Sequence, residues 1–170
     1  MNVNILGIDP GYALIGYGVI SYDLGKFKTI NFGAITTTPD LSFSKRLEVI
    51  YRDMNQLINE FKPDALSIEK LYFNTNTTTA IDVAQARGVI VLAAQMNSVP
   101  IYEYTPLQVK TAVTGFGRAE KHQVMEMTRS LLGLNKVPKP DDTADALAIA
   151  ICHANTGIGG YAKIIREVKK

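Results

Sequence analysis

The strongest constraint on the fold is a short run near the start of the chain, Val3-Asn4-Ile5-Leu6-Gly7-Ile8, which ends at Asp9 and then at Pro10-Gly11. An apolar run of that length, stopped by a carboxylate and a turn dipeptide, reads as a buried strand with Asp9 at its carboxyl end. In open α/β sheets the carboxyl ends of the strands border the ligand crevice. A turn aspartate can also do no more than hydrogen-bond its own loop. The functional reading of Asp9 therefore rests on what the rest of the chain places beside it.

The segments that follow supply partners for that strand. Residues 13–22 alternate loosely and read as a second strand hairpinned to the first, and a turn at 23–26 leads to a third strand over 27–37. Pro39-Asp40 breaks the pattern. Ser42 is then placed to cap a helix whose stripe, Leu47, Ile50, Tyr51, Met54, Leu57, Ile58 and Phe61, reads as core throughout. Residues 65–68 form a short buried strand ending at Glu69. A polar segment at 74–79 precedes a long helix over 80–96 that carries Gln85-Ala86-Arg87-Gly88, and 99–104 is a fifth strand. Pro106 opens a short helix containing Lys110, and Gly115-Phe116-Gly117 separates it from a helix over 119–132 that Gly133 terminates. A last helix, 142–153, is apolar nearly all round and is expected to be buried.

This order predicts an α/β fold, a mixed five-stranded sheet with helices on both faces. The expected organisation is one domain over 1–156 followed by a basic tail over 157–170, a size that supports a sizeable core. The lone Cys152 excludes an internal disulfide framework and a cysteine-based zinc site, and suits a reducing cytosol. Asn2 and Asn4 stand where a signal peptide would be basic, and Asp9 interrupts the apolar run, so a cytoplasmic location is expected. There is also no uncharged run long enough to cross a bilayer. The net charge is only +2, but Lys110, Arg118, Lys121, Arg129, Lys136 and Lys139 face only Glu120 and Glu126 between residues 105 and 140. That imbalance points to a polyanion on one side, although solvated helix faces have a similar composition.

Four carboxylates carry the chemistry. Asp9 and Glu69 end strands expected to be adjacent and parallel, while Asp142 and Asp145 open the buried helix three positions apart, on one face. Asp142 alone reads more simply as a helix cap, but Asp145 lies inside the first turn of a helix that is otherwise core. Clustered carboxylates raise one another's pKa values unless a cation lies between them. Hard oxygen donors without cysteine or a nearby histidine select Mg²⁺, with Mn²⁺ as a substitute. Two such ions about 4 Å apart suit phosphodiester hydrolysis.

The same residues carry a family resemblance. Gly7-Ile8-Asp9-Pro10-Gly11, Ile68-Glu69, Gln85-Ala86-Arg87-Gly88, the 115–121 segment Gly-Phe-Gly-Arg-Ala-Glu-Lys and the 142–148 segment Asp-Thr-Ala-Asp-Ala-Leu-Ala occur in the order and spacing of the bacterial RuvC family. The chain resembles that family from about residue 3 to 154. The resemblance implies a ribonuclease-H-like fold, a homodimer, and Mg²⁺-dependent paired nicking of four-way junction DNA during recombination and repair, with two ions per site. It further implies a branch-migration complex of RuvA and RuvB type as partner. Carried over, Asp9, Glu69, Asp142 and Asp145 fall on the family's acidic tetrad, and Lys110 and Lys121 on its basic residues near the scissile phosphate. Tyr72 stands where the family usually has a phenylalanine that contacts junction bases, with Phe73 next to it, which leaves open which ring stacks. Gly115, Gly117 and Arg118 belong to a loop whose backbone N–H groups can approach phosphate, and which can also be a simple turn between helices. His122 and His153 read as structural, and Arg87 as a packing or dimer residue.

Three other readings fit less well. A ribonuclease-H-like nuclease acting on RNA is disfavoured by the lysine-bearing 115–121 motif. An actin-like or sugar-kinase ATPase needs two such domains, and 170 residues are too few. A non-catalytic junction-binding protein has no need of four intact carboxylates.

Overall fold

The computed structural model describes residues 2–71 and 79–158. In chain order the elements are β1 (Val3–Asp9), β2 (Leu14–Asp23), β3 (Lys26–Thr36), α1 (Phe43–Phe61), β4 (Ala65–Glu69), α2 (Ala80–Met96), β5 (Ile101–Tyr104), α3 (Pro106–Thr114), α4 (Lys121–Leu131) and α5 (Asp141–His153), closed by a π-helical turn, Ala154–Ile158. The five strands form one sheet in the order β3-β2-β1-β4-β5. β1 is antiparallel to β2 and parallel to β4, and β4 is parallel to β5, so the mixed sheet expected from the sequence is present.

Alternation along the central strands sets which helix packs where. Leu6, Ile8, Leu66 and Ile68 point to one face and join Ile50, Met54, Ala86 and Ile90 of α1 and α2 in one core cluster. Ile5 and Ile20 point to the other, where Val109, Val124 and Leu147 bring in α3, α4 and α5. Fully burying an isoleucine or leucine contributes about 1.5–3 kcal/mol, so each layer is held chiefly by these aliphatic contacts.

The structure corrects four local readings. Tyr51 is 37% exposed, not core, whereas Arg46, outside the apolar stripe, is buried with its guanidinium 5.0 Å above the Tyr12 ring. A planar cation over an aromatic face can be buried where a bare charge could not. Ser42 occupies the α1 N-cap but its hydroxyl lies 3.3 Å from Ser44 Oγ and does not cap the helix. Asp142 is likewise no cap, because Pro140 takes that position and Asp142 falls inside the first turn. α4 starts at Lys121 rather than 119, where the Gln123 side chain accepts the Glu120 N–H at 2.8 Å.

Candidate active site

Asp9 and Glu69 are the last residues of β1 and β4. Each directly follows one of the paired residues Ile8 and Ile68, which sets the two carboxylates side by side at the carboxyl ends of two adjacent inner strands, on the face covered by α5. The strands are adjacent and parallel, as the sequence implied.

What brings Asp142 and Asp145 to those strand ends is a row of glycines beneath α5. A Cβ added to Gly7 would lie 2.1 Å from the Ala146 carbonyl oxygen, and one on Gly16 would lie 2.0 Å from that of Asp142. On Gly18 it would meet Leu147 Cδ2 at 2.6 Å. The helix therefore rests on strand backbone rather than on side chains. Its first turn is tied down by Thr143, whose hydroxyl donates to the Gly33 carbonyl at 3.1 Å. This close packing puts the first turn of α5 beside the ends of β1 and β4.

The electrostatics of the cluster follow from burial and like charge. Burial pushes the Asp9 carboxyl up to about 8, and Asp145, Glu69 and Asp142 add to the rise while Lys121 opposes it. Glu69 is also raised, first by burial and then by Asp145, with Lys121 and Lys110 acting against it. Asp145 is raised by burial, against the hydrogen bond from Lys121. Lys121 Nζ lies 2.9 Å from Asp145 Oδ2 and 3.9 Å from Asp141 Oδ2, and the Asp145 hydrogen bond lifts its own pKa. Desolvated carboxylates of one sign are thus partly offset by two ammonium groups, those of Lys121 and Lys110.

An all-carboxylate set of hard oxygen donors in a partly buried site suits Mg²⁺ or Mn²⁺. The raised Asp9 and Glu69 pKa values mark a place where positive charge is favoured. Among the described residues no three acidic, histidine or cysteine side chains converge as finished ligands of one ion. Lys121 instead engages the oxygen that Asp145 would offer. The donor chemistry fits the ions, with Lys121 standing in as the cation.

A cleft of about 270 Å³ adjoins the cluster, lined by Glu69, Lys110, Lys121 and Asp145 over an apolar floor that includes Val109 and Ile149. Lys110 reaches it from α3, whose start is fixed by reciprocal bonds between Thr105 and Gln108. Gly115 ends α3 at φ +77°, and Gly117 packs so tightly under Leu107 that a Cβ would meet Cδ1 at 2.6 Å. That bend delivers Lys121, the first residue of α4, to the cleft and leaves Arg118 exposed to solvent. Of the residues singled out from the sequence, Asp9, Glu69, Asp142, Asp145, Lys110 and Lys121 are brought together, while Gly115, Gly117 and Arg118 belong to the turn between α3 and α4 and do not line the cleft. Tyr72 and Phe73 lie outside the described residues.

Sequence reasoning does not single out the strand glycines or Asp141. Gly7 enters it only as a motif residue, and Gly16 and Gly18 only as part of the second strand, although glycines inside strands signal close backbone approach. Asp141 shares Lys121 with Asp145. Arg87, read as a packing or dimer residue, reaches the carbonyl of Glu69. His153, read as structural, is buried with Nδ1 2.7 Å from the Tyr104 hydroxyl, and burial holds it down to about 4. His122 is exposed and lies 3.3 Å from a Glu120 oxygen.

The family described as crossover junction endodeoxyribonuclease RuvC matches residues 5–153. A crossover junction endodeoxyribonuclease RuvC of Alkaliphilus metalliredigens is 58% identical over 153 residues, covering 90% of this chain and 93% of that one. The Brevibacillus brevis protein of that name is 51% identical over 99% of this chain and 100% of its own. Among solved structures, Thermus thermophilus RuvC in complex with Holliday junction substrate superposes with a TM-score of 0.88 at 34% identity, covering 93% of this chain and 96% of that one.

Proposed function

The chain belongs to the RuvC family of crossover junction endodeoxyribonucleases, and from that premise we propose that its carboxylate cluster cuts four-way junction DNA with the help of Mg²⁺. The protein is a Holliday junction resolvase, a nuclease of DNA recombination and repair. The observation that best supports this chemistry is Asp9, driven up to about 8 by burial and three neighbouring carboxylates, an arrangement that gains from a divalent cation.

Asp9, Glu69, Asp142 and Asp145 would hold the metal. When bound, two ions would supply activation of water and stabilisation of the departing 3′ oxygen. Lys121 starts bonded to Asp145 and is free to turn its ammonium towards the scissile phosphate once that carboxylate has another partner. Lys110 approaches the same phosphate from α3, so both lysines face charge that grows in the transition state. Arg118 and the backbone around Gly115 and Gly117 take flanking phosphates and set the register of the strand. Tyr72 or Phe73 stacks on an unpaired base at the crossover.

A second copy of the chain completes the machine. α2 carries a stripe of exposed residues, Ile81, Gln85, Gly88, Leu92 and Met96, three or four positions apart, and nothing lies within 4 Å of where a Gly88 Cβ would stand. An apolar helix face with a small residue at its centre suits close packing against its own copy across a two-fold axis. Two sites related in this way match the two opposed strands of a junction, which supports paired nicking. The assignment of RuvA- and RuvB-type partners rests on family resemblance. No described helix is long and apolar enough to cross a membrane, and the buried thiol of Cys152 suits a cytoplasmic home.

The direct test incubates the protein and Mg²⁺ with a synthetic four-way junction, a linear duplex and an RNA–DNA hybrid. Nicking of opposed junction strands is expected, with the duplex and hybrid spared. Equal cutting of the hybrid would overturn the assignment.

A further inference from the structure

Arg87 is a charged group that the cleavage chemistry leaves unused, in contact with the backbone of a site residue. It projects from α2 towards the ends of β4 and β5, on the side of the sheet away from α5. One guanidinium nitrogen, Nη2, lies 2.5 Å from Glu103 Oε1 on β5. Another, Nε, donates to the backbone carbonyl oxygen of Glu69 at 3.4 Å. The Arg87 side chain is 20% exposed and that of Glu103 41%, so the guanidinium is the more enclosed partner of the pair.

The two contacts depend on each other. A guanidinium is planar, and its donors keep fixed directions. Once Glu103 holds Nη2, the direction of Nε is set, and it meets the carbonyl of the last residue of β4. Beyond Glu69 the parallel ladder gives one more backbone bond, from the Lys70 N–H to the Tyr104 carbonyl at 2.9 Å. Glu69 therefore ends its strand with its carbonyl held from the α2 side while its side chain enters the carboxylate cluster on the α5 side. The orientation of that peptide unit decides where the Cα–Cβ bond of Glu69 aims.

We propose that Arg87, itself held by Glu103, is a positioning residue that fixes the direction in which the Glu69 carboxylate enters the metal-holding cluster. The inference rests on the reading of Glu69 as one of the four acids that would hold the ions. Partners that orient a ligand without touching the ion commonly alter metal affinity by 10–100-fold when they are lost. Lysine keeps the charge but, as a point charge on a flexible stem, cannot serve both contacts in one fixed plane.

The test uses the full chain and the variants Arg87→Ala, Arg87→Lys, Glu103→Gln and Glu69→Gln. Binding of Mn²⁺ alone is followed by its paramagnetic resonance, without DNA. The Mg²⁺ concentration for half-maximal single-turnover cleavage and the junction Kd in Ca²⁺ are measured beside it. Arg87→Ala is expected to weaken Mn²⁺ binding and raise the Mg²⁺ requirement roughly tenfold, with junction Kd unchanged. Arg87→Lys and Glu103→Gln should shift both in the same direction by less. Glu103→Gln preserves size and weakens the hold on Arg87 by one charge, so together with Arg87→Lys it decides the matter even if Arg87→Ala fails to fold. If Arg87→Lys and Glu103→Gln both bind Mn²⁺ as tightly as the unaltered protein, Arg87 is a packing residue and the inference is overturned. If that happens while Glu69→Gln has lost metal and cleavage, the reading of the site stands and only the role of Arg87 falls. If Glu69→Gln itself binds Mn²⁺ and cleaves normally, both fall.

Discussion

At the scale of the residue, burial and like charge at Asp9 act against stability, and the proposed role of its carboxylate needs both. Its carboxyl is raised from 3.8 to about 8, chiefly by burial and then by Asp145, Glu69 and Asp142. A group whose folded pKa lies above its unfolded value takes up a proton on folding. The metal-free protein should therefore lose stability as pH rises from about 4 to about 8. Asp9→Asn removes the buried charge and that slope. In chelator at pH 8 this variant should melt several degrees above the unaltered protein, with the gap closing towards pH 4. It should also retain junction binding in Ca²⁺ while losing nearly all cleavage in Mg²⁺. A cleavage rate close to that of the unaltered protein would remove Asp9 from the site.

The lysines differ in what their loss should reveal. Lys121 both faces the cleft and neutralises Asp145, so its removal mixes chemistry with electrostatics. Lys110 lines the cleft on α3 and acts on Glu69 only through its charge. Lys110→Ala is the cleaner test and should slow single-turnover cleavage by about 10²–10³-fold while weakening binding far less. Lost affinity with an unchanged rate at saturating protein would make Lys110 an ordinary phosphate contact.

At the scale of the element, the site is as good as the seating of α5. Gly7, Gly16 and Gly18 let that helix lie against strand backbone, and each leaves no room for a methyl group without movement. At Gly7 the obstruction is backbone of α5, which cannot step aside as a side-chain tip can. Gly7→Ala should therefore lift the helix and its two aspartates away from Asp9 and Glu69. Overpacking of this kind costs about 1–3 kcal/mol, and a displacement near 1 Å can slow catalysis on the order of a hundredfold. Paired measurements of melting temperature and single-turnover rate should show the rate falling out of proportion to stability. A stable variant with normal cleavage would mean that the α5 seating tolerates the methyl group and does not govern the site.

At the scale of the whole molecule, the two layers serve different ends. The α3, α4 and α5 layer carries Lys110, Lys121, Asp142 and Asp145, so it holds most of the proposed site. The α1 and α2 layer presents an exposed stripe on α2, with Leu92 at 52% and Met96 at 68% exposure. Leu92→Glu places a charge in that stripe without disturbing the core. Light scattering should show its mass fall from two chains towards one, and coordinated nicking of opposed strands should give way to single nicks. A dimer that survives Leu92→Glu with full resolving activity would place the two-fold axis elsewhere.

The sequence alone determined the strands, the helices and the four acids, because each rests on a local pattern. An apolar run ending in a carboxylate placed Asp9 and Glu69, and three-residue spacing at the mouth of an apolar helix placed Asp142 and Asp145. Local pattern also misled where burial depends on distant groups. Arg46 is buried because Tyr12 lies under it, and Tyr51 is exposed because its part of the helical stripe reaches the edge of the core. Only the tertiary structure decided that three strand glycines are the bed of α5, and that Lys121 bonds Asp145, 24 positions further along the chain. It alone brought Arg87 to the carbonyl of Glu69. The physical reason is that hydrophobic periodicity is written along the chain, whereas contact between elements depends on how closely two backbones approach, which glycine permits without any periodic signal.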